Sequence, residues 1–150
     1  MKNKNSKDVY LGIVWGKSSD KAISLIYLCN ATKRTYAFSR EQFAHQGDSD
    51  ALLELGGGPR TSFTLGSNTY FKVDQITDQG EFDFTTTYTF YRRDTETGEL
   101  HWALGEINGC SVLCDRRKYA RSTIMTERVL RVSLEWLECG PDGEPKVWPR

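Results

Sequence analysis

The sequence of 150 residues contains no apolar run long enough to cross a bilayer. The longest, Ile23 to Cys29, is broken by Ser24, and a spanning helix needs about 20 apolar residues. The opening MKNKNSKD is polar and charged with no apolar stretch behind it, so no secretory signal is expected. An excess of one charge is also missing. Twenty basic side chains balance 20 acidic ones, which excludes a generic polycation that coats nucleic acid or anionic membrane. Cysteine is scarce: Cys29, Cys110, Cys114 and Cys139 are too few and too scattered for a disulfide scaffold. Reduced thiols in a cytoplasmic protein are the expectation, and the sequon Asn30-Ala31-Thr32 then carries no sugar. Cys110 and Cys114 on one strand would lie about 13 Å apart, too far to bridge. There is no CxxC, and His45 and His101 have no ligand-like spacing. Neither a metal nor another cofactor is expected. Internal repeats, heptads and low-complexity tracts are absent as well.

What is present is β-patterning. Val9, Leu11, Ile13 and Trp15 alternate on one face, and residues 22–29 are apolar and β-branched. Arg34 to Phe38 reads as a third strand. Ser39, three residues before Gln42, has capping-box spacing, and Ser49 or Asp50 could cap ALLEL, so short helical pieces are expected over residues 39–55. Gly56-Gly57-Gly58-Pro59 breaks the chain. Strands resume at 61–65 and 69–74. Beyond a polar stretch at 77–80, Phe82, Phe84, Tyr88 and Phe90 share a face. Leu100, Trp102 and Leu104 alternate with His101 on the solvent side. Asn108-Gly109 has hairpin-turn character, residues 110–114 return as a short strand, Val132, Leu134 and Trp136 alternate, and Val147-Trp148 ends the chain as a last strand.

This order predicts a mostly β chain. Residues 1–8 are expected to be disordered. Residues 9–76 read strand, strand, strand, helix, strand, strand, the order of an OB-like antiparallel barrel with a short helical insert; an SH3-like barrel or a curved sheet fits the same pattern. Residues 81–150 read as an antiparallel β meander, either a second module or packed into one domain with the first.

Motifs of catalysis are missing. Gly12 to Ser18 has three residues between its glycines where a phosphate loop has four, and a strand follows where a helix should. There is no GxSxG, HExxH or kinase set. A non-catalytic binding module is therefore the expectation, with an unreadable enzyme as the third class. The balanced charge is uneven along the chain: eight basic and five acidic residues over 1–50, four and nine over 51–110, eight and six over 111–150. Tyr36 and Phe38 alternate beside Lys33, Arg34 and Arg40, the mixture on which unpaired bases stack while phosphates meet cations. A second cluster holds Arg116, Arg117, Lys118, Tyr119 and Arg121, followed by Arg128 and Arg131.

Residues 9–76 also carry Gly12-Ile13-Val14-Trp15, then Lys21-Ala22-Ile23-Ser24-Leu25-Ile26, Thr35-Tyr36-Ala37-Phe38, Leu53-Glu54-Leu55-Gly56 and Ser62-Phe63-Thr64. In order and spacing this resembles a cold-shock domain. The resemblance implies an OB fold and single-stranded DNA or RNA as partner. Ala22, Ile23, Ser24 and Leu25 stand where that family has the glycines and aromatics of its first nucleic-acid motif, and Phe38 stands where it has histidine. The leading expectation is a single-strand binder. The rival is an inhibitor or immunity-type protein that blocks a protein partner, for which four tryptophans offer interface anchors.

Overall fold

The computed structural model describes residues 8–18, 21–41, 44–47, 61–77, 84–108 and 118–140. Its strands are β1 (Val9–Ser18), β2 (Lys21–Asn30), β3 (Tyr36–Arg40), β4 (Ala44–Gly47), β5 (Thr61–Leu65), β6 (Thr69–Thr77), β7 (Phe84–Asp94), β8 (Leu100–Asn108), β9 (Ala120–Arg121), β10 (Arg128–Ser133) and β11 (Leu137–Glu138). They form two antiparallel sheets, one in the order β6-β2-β1-β10-β9 and one in the order β11-β8-β7-β3-β5, with β4 also paired to β7. Among the described residues there is no α-helix and neither sheet closes on itself.

The strands expected to close one barrel over residues 9–76 are instead divided. β1, β2 and β6 lie in the first sheet, and β3 and β5 in the second. Each sheet also takes strands from the C-terminal half: β1 pairs β10, and β3 pairs β7. The helical reading fails where it can be followed. Ser39 and Arg40 continue β3, held on both sides by β5 and β7, and residues 44–47 form β4. The Ser39 hydroxyl meets the Glu41 carboxylate at 3.1 Å. Two ladders of backbone hydrogen bonds outweigh one capping signal worth about 1 kcal/mol. ALLEL, the glycine run, Gly109 of the expected turn, the strands at 110–114 and 147–148, and residues 1–7 lie outside the described residues.

One core fills the space between the sheets. Val9, Leu11 and Ile13 of β1 meet Tyr36 and Phe38 of β3, Tyr88 and Phe90 of β7, and Leu130 and Leu134, with Trp15, Val132 and Trp136 at its margin. The alternations in β1, of Tyr88 with Phe90 in β7, and of residues 132–136 thus face inward as expected; Phe82 and the Phe84 side chain lie outside the described residues. That in β8 is reversed. Phe90 pairs Ala103 and Tyr88 pairs Gly105, so Ala103, Gly105 and Ile107 line the core. Trp102, although buried, pairs with Tyr91 on the opposite face, and His101 shares the inward side. A Cβ on Gly105 would come within 2.9 Å of both Leu11 and Leu134, which is how closely the sheets approach there.

The chain crosses between the sheets twice at one corner, from β2 to β3 and from β5 to β6. Asn30, wholly buried, ties the two crossings. Its amide nitrogen donates to the carbonyls of Arg34, Leu65 and Gly66. Its side-chain oxygen accepts from the Thr32 backbone N–H and hydroxyl. Its backbone carbonyl accepts from the Asn68 N–H at 2.8 Å. The β5–β6 turn holds Asn68 at φ 59°, a left-handed conformation asparagine tolerates.

Candidate functional site

The outer face of the first sheet is half covered and half open. Tyr10, Val14, Cys29, Met125 and Val129 form a second apolar cluster there. The Ser122 hydroxyl accepts the N–H groups of Ile124 and Met125, and this turn lays the 122–125 loop onto the sheet. Burial pushes the Cys29 thiol up to about 12, so it stays protonated and inert. A Cβ on Gly12 would sit 2.9 Å from that sulfur. Glycine is what lets Cys29 and the Tyr10 ring lie flat on the strand.

Register sets the open part. One rung across the sheet runs Tyr70, Cys29, Tyr10, Ser133, and the next runs Lys72, Tyr27, Gly12, Arg131. The rings of Tyr27 and Tyr70 meet edge to face at 5.4 Å, and Tyr70 is 43% exposed. At the other end the Arg131 guanidinium covers the Tyr10 ring at 3.8 Å. Beyond it, Lys118, Arg121 and Arg128 are exposed. Arg121 lines two adjoining recesses, one of about 520 Å³ shared with Lys118, Arg131 and Tyr10, the other of about 540 Å³ shared with Arg128 and Met125. No carboxylate lines either recess among the described residues. Glu127 stands near Tyr27, whose phenol burial and that carboxylate push above its ordinary value. One end of the face therefore offers rings with Lys72 beside them, and the other offers most of the positive charge.

The residues expected to bind are partly elsewhere. Tyr36 and Phe38 belong to the core, 7% and 2% exposed. Phe38 packs against Tyr36, Phe63 and Trp136 at 5.6 to 6.1 Å. Neither ring can receive a base, because both fill the space between the sheets. Arg34 pairs with Asp94 and with Glu96. Asp94 also accepts the N–H groups of Glu96 and Thr97. Its carboxyl is held well below the usual range, chiefly by the Arg34 hydrogen bond. Arg40 points into the sandwich and donates to the Val73 carbonyl and the Thr61 hydroxyl. Lys33 is exposed but stands apart from the recesses. Tyr119 is buried in the core. Arg116 and Arg117 lie outside the described residues. Of the ten, Lys118 and Arg121 converge, joined by Arg128 and Arg131.

Sequence reasoning missed Tyr27, Tyr70 and Lys72. The alternation of Tyr70 and Lys72 along β6 was available, but only the register joins them to Tyr27. It also missed Arg92, whose guanidinium is clamped between the rings of Tyr36 and Trp136 at 4.5 and 4.6 Å. Nothing in a strand sequence announces a cation on the core side. Among the described residues no group of three or more histidine, cysteine or carboxylate side chains could hold a metal, and no helix is long and apolar enough to cross a membrane.

No protein-family model matches the chain, and no curated protein or solved structure matches it.

Proposed function

We propose that the protein is a non-catalytic binding module for single-stranded nucleic acid, and that the strand lies across the outer face of the first sheet. Bases meet Tyr27 and Tyr70. Phosphates meet Lys72, Lys118, Arg121, Arg128 and Arg131. The observation that carries this reading is that the half-buried Tyr27 and the exposed Tyr70 share two adjacent rungs of one face with Lys72 and Arg131, beside two basic recesses that no carboxylate lines among the described residues. Stacking needs unpaired bases and tolerates any sequence, and cations supply the affinity for the backbone. Sheet-face binding of single strands is also what the resemblance to cold-shock domains implies, and a cytoplasmic setting keeps the thiols reduced.

Fluorescence titration with single-stranded and duplex oligonucleotides at two salt concentrations tests it. Single strands should bind better than duplex. Affinity should fall with salt at a slope of roughly −0.7 per phosphate contacted. Tyr70→Ala should cost on the order of 1–3 kcal/mol if a base stacks on that ring. Replacing Arg121 and Arg128 by glutamine should flatten the salt slope by about one to two phosphates. Absence of binding to any single strand at low salt would overturn the reading and leave a protein partner in its place.

A further inference from the structure

Among the described residues β6 is the long edge of the first sheet. It has nine residues and pairs only β2, whereas β9 at the other edge has two. The unpaired N–H and C=O groups of such an edge are a template for a second chain. Tyr70 and Phe71, both exposed, lie on it side by side, and by strand alternation they point to opposite faces. The middle of β6 is nevertheless closed. Tyr27 pairs Lys72 and Ile26 pairs Asp74, so Val73 is an extra residue in a bulge. A bulge leaves backbone groups without ladder partners, and here side chains take them. The Arg40 guanidinium, arriving from β3 in the other sheet, donates to the Val73 carbonyl and to the Thr61 hydroxyl of β5. The Gln75 N–H, on the exposed side, donates to Asp74 Oδ1 at 2.8 Å. The other Asp74 oxygen accepts from the Tyr88 hydroxyl at 2.6 Å, which anchors the carboxylate to the core. Burial and that carboxylate push the Tyr88 phenol well above its ordinary value, so it remains a donor. An exposed lysine at Lys72, a bulge and an inward charge are all features that hinder edge pairing.

We propose that Arg40 and Asp74 hold β6 in a form that cannot accept another strand, and so keep the chain from joining a second copy edge to edge. Antiparallel pairing of β6 with itself across a two-fold axis is the contact they prevent. It presents the same edge from both copies and closes at a dimer. Such pairing needs the backbone groups around Val73 and Gln75 directed at the partner. Arg40 holds the Val73 carbonyl toward the other sheet, and Asp74 occupies the Gln75 N–H. Both contacts must break before an incoming strand makes its own there, and exchanging one hydrogen bond for another leaves little net gain. Arg40, expected from the sequence to meet phosphate, is thus committed to this edge.

Two variants open the edge by separate routes. Arg40→Met keeps the stem and removes the guanidinium, and Asp74→Ala frees the Gln75 N–H. Tyr88→Phe is the control, because it removes a buried hydrogen bond but leaves both β6 groups covered. Light scattering behind size exclusion, over a wide range of protein concentration, reads the mass. Thermal melts show that each protein is folded at the temperature used. Wild type and Tyr88→Phe should keep the mass of one chain. Arg40→Met and Asp74→Ala should double in mass as concentration rises. Adding Gln75→Pro to either should restore the single mass, because proline has no N–H to offer and is tolerated where that group faces solvent. If Arg40→Met fails to fold, Asp74→Ala decides. The proposal is overturned if the folded variants stay monomeric, or if doubling persists with Gln75→Pro. Association of Tyr88→Phe to the same extent overturns it too, since lost stability would then be the cause. A wild type that is already a dimer, and that Gln75→Pro dissociates, also overturns it, because β6 would then be open.

Discussion

Asn30 should be the most sensitive polar position in the fold. Its amide nitrogen lies 2.8 Å from the Arg34 carbonyl, 3.1 Å from that of Leu65 and 3.0 Å from that of Gly66, and its oxygen accepts twice from Thr32. Two N–H groups thus serve three carbonyls on two separate crossings between sheets. Asn30→Ala removes them all. Each net hydrogen bond is worth about 1 kcal/mol, and a buried carbonyl left bare costs about 1–3 kcal/mol more. The Leu65 bond is the buried one, so a loss of about 3–5 kcal/mol is expected. For a chain of this size that lowers Tm by roughly 10 °C or more. Asn30→Asp is the sharper test, because it keeps the shape and replaces the donor by a carboxylate facing three carbonyl oxygens. Burial and those oxygens raise the folded-state pKa of that aspartate above its unfolded value of about 3.9. The penalty is therefore fully present above the raised pKa and shrinks as pH falls toward the unfolded one. Urea unfolding of wild type and both variants at pH 7.5 and pH 5 measures this. If Asn30→Ala stays within about 0.5 kcal/mol of wild type, or if Asn30→Asp is the more stable variant at pH 7.5, Asn30 does not join the two crossings as argued.

Three further outcomes follow from the same structure. Gly12→Ala places a Cβ 2.9 Å from the Cys29 sulfur and should destabilise by about 1–3 kcal/mol; adding Cys29→Ala should recover part of that in denaturant titration, and a double variant no better than the single one refutes the clash. The Asp94 carboxyl is depressed chiefly by its hydrogen bond from Arg34; its contribution is present above the unfolded pKa and lost as pH falls through the folded one. Wild type should thus lose stability below about pH 4 more steeply than Asp94→Asn, and parallel acid melts of the two would contradict it. Phe38→Ala should cost about 3–5 kcal/mol, whereas Tyr70→Ala should change stability by no more than about 1 kcal/mol; a chemically denatured series that reverses this order would place Phe38 outside the core.

The period-2 alternation of Val9, Leu11, Ile13 and Trp15, and of Tyr88 with Phe90, follows from local physics: successive side chains on a strand point to opposite sides, so the core-facing set is written in the order of residues. The bounds of β5 and the inward face of residues 132–136 were legible for the same reason. Sheet membership was not. Whether β3 joins β2 or β7 depends on pairing between residues 50 to 58 positions apart, and hairpin-like neighbours in sequence do not compel pairing in space. That choice sent Tyr36 and Phe38 into the interior, where an aromatic pair reads the same as it would on an open face. The β8 reversal has the same origin: the larger apolar residues Leu100, Trp102 and Leu104 mark the wrong face, and only the register with Tyr88 and Phe90 puts Ala103, Gly105 and Ile107 inside, where the sheets approach too closely for bulk. The basic composition of residues 118–131 was visible in the sequence. Its convergence around Tyr10, and its placement on the same sheet face as Tyr27 and Tyr70, came from β1 pairing β10, a contact across more than 110 residues that only the tertiary structure could supply.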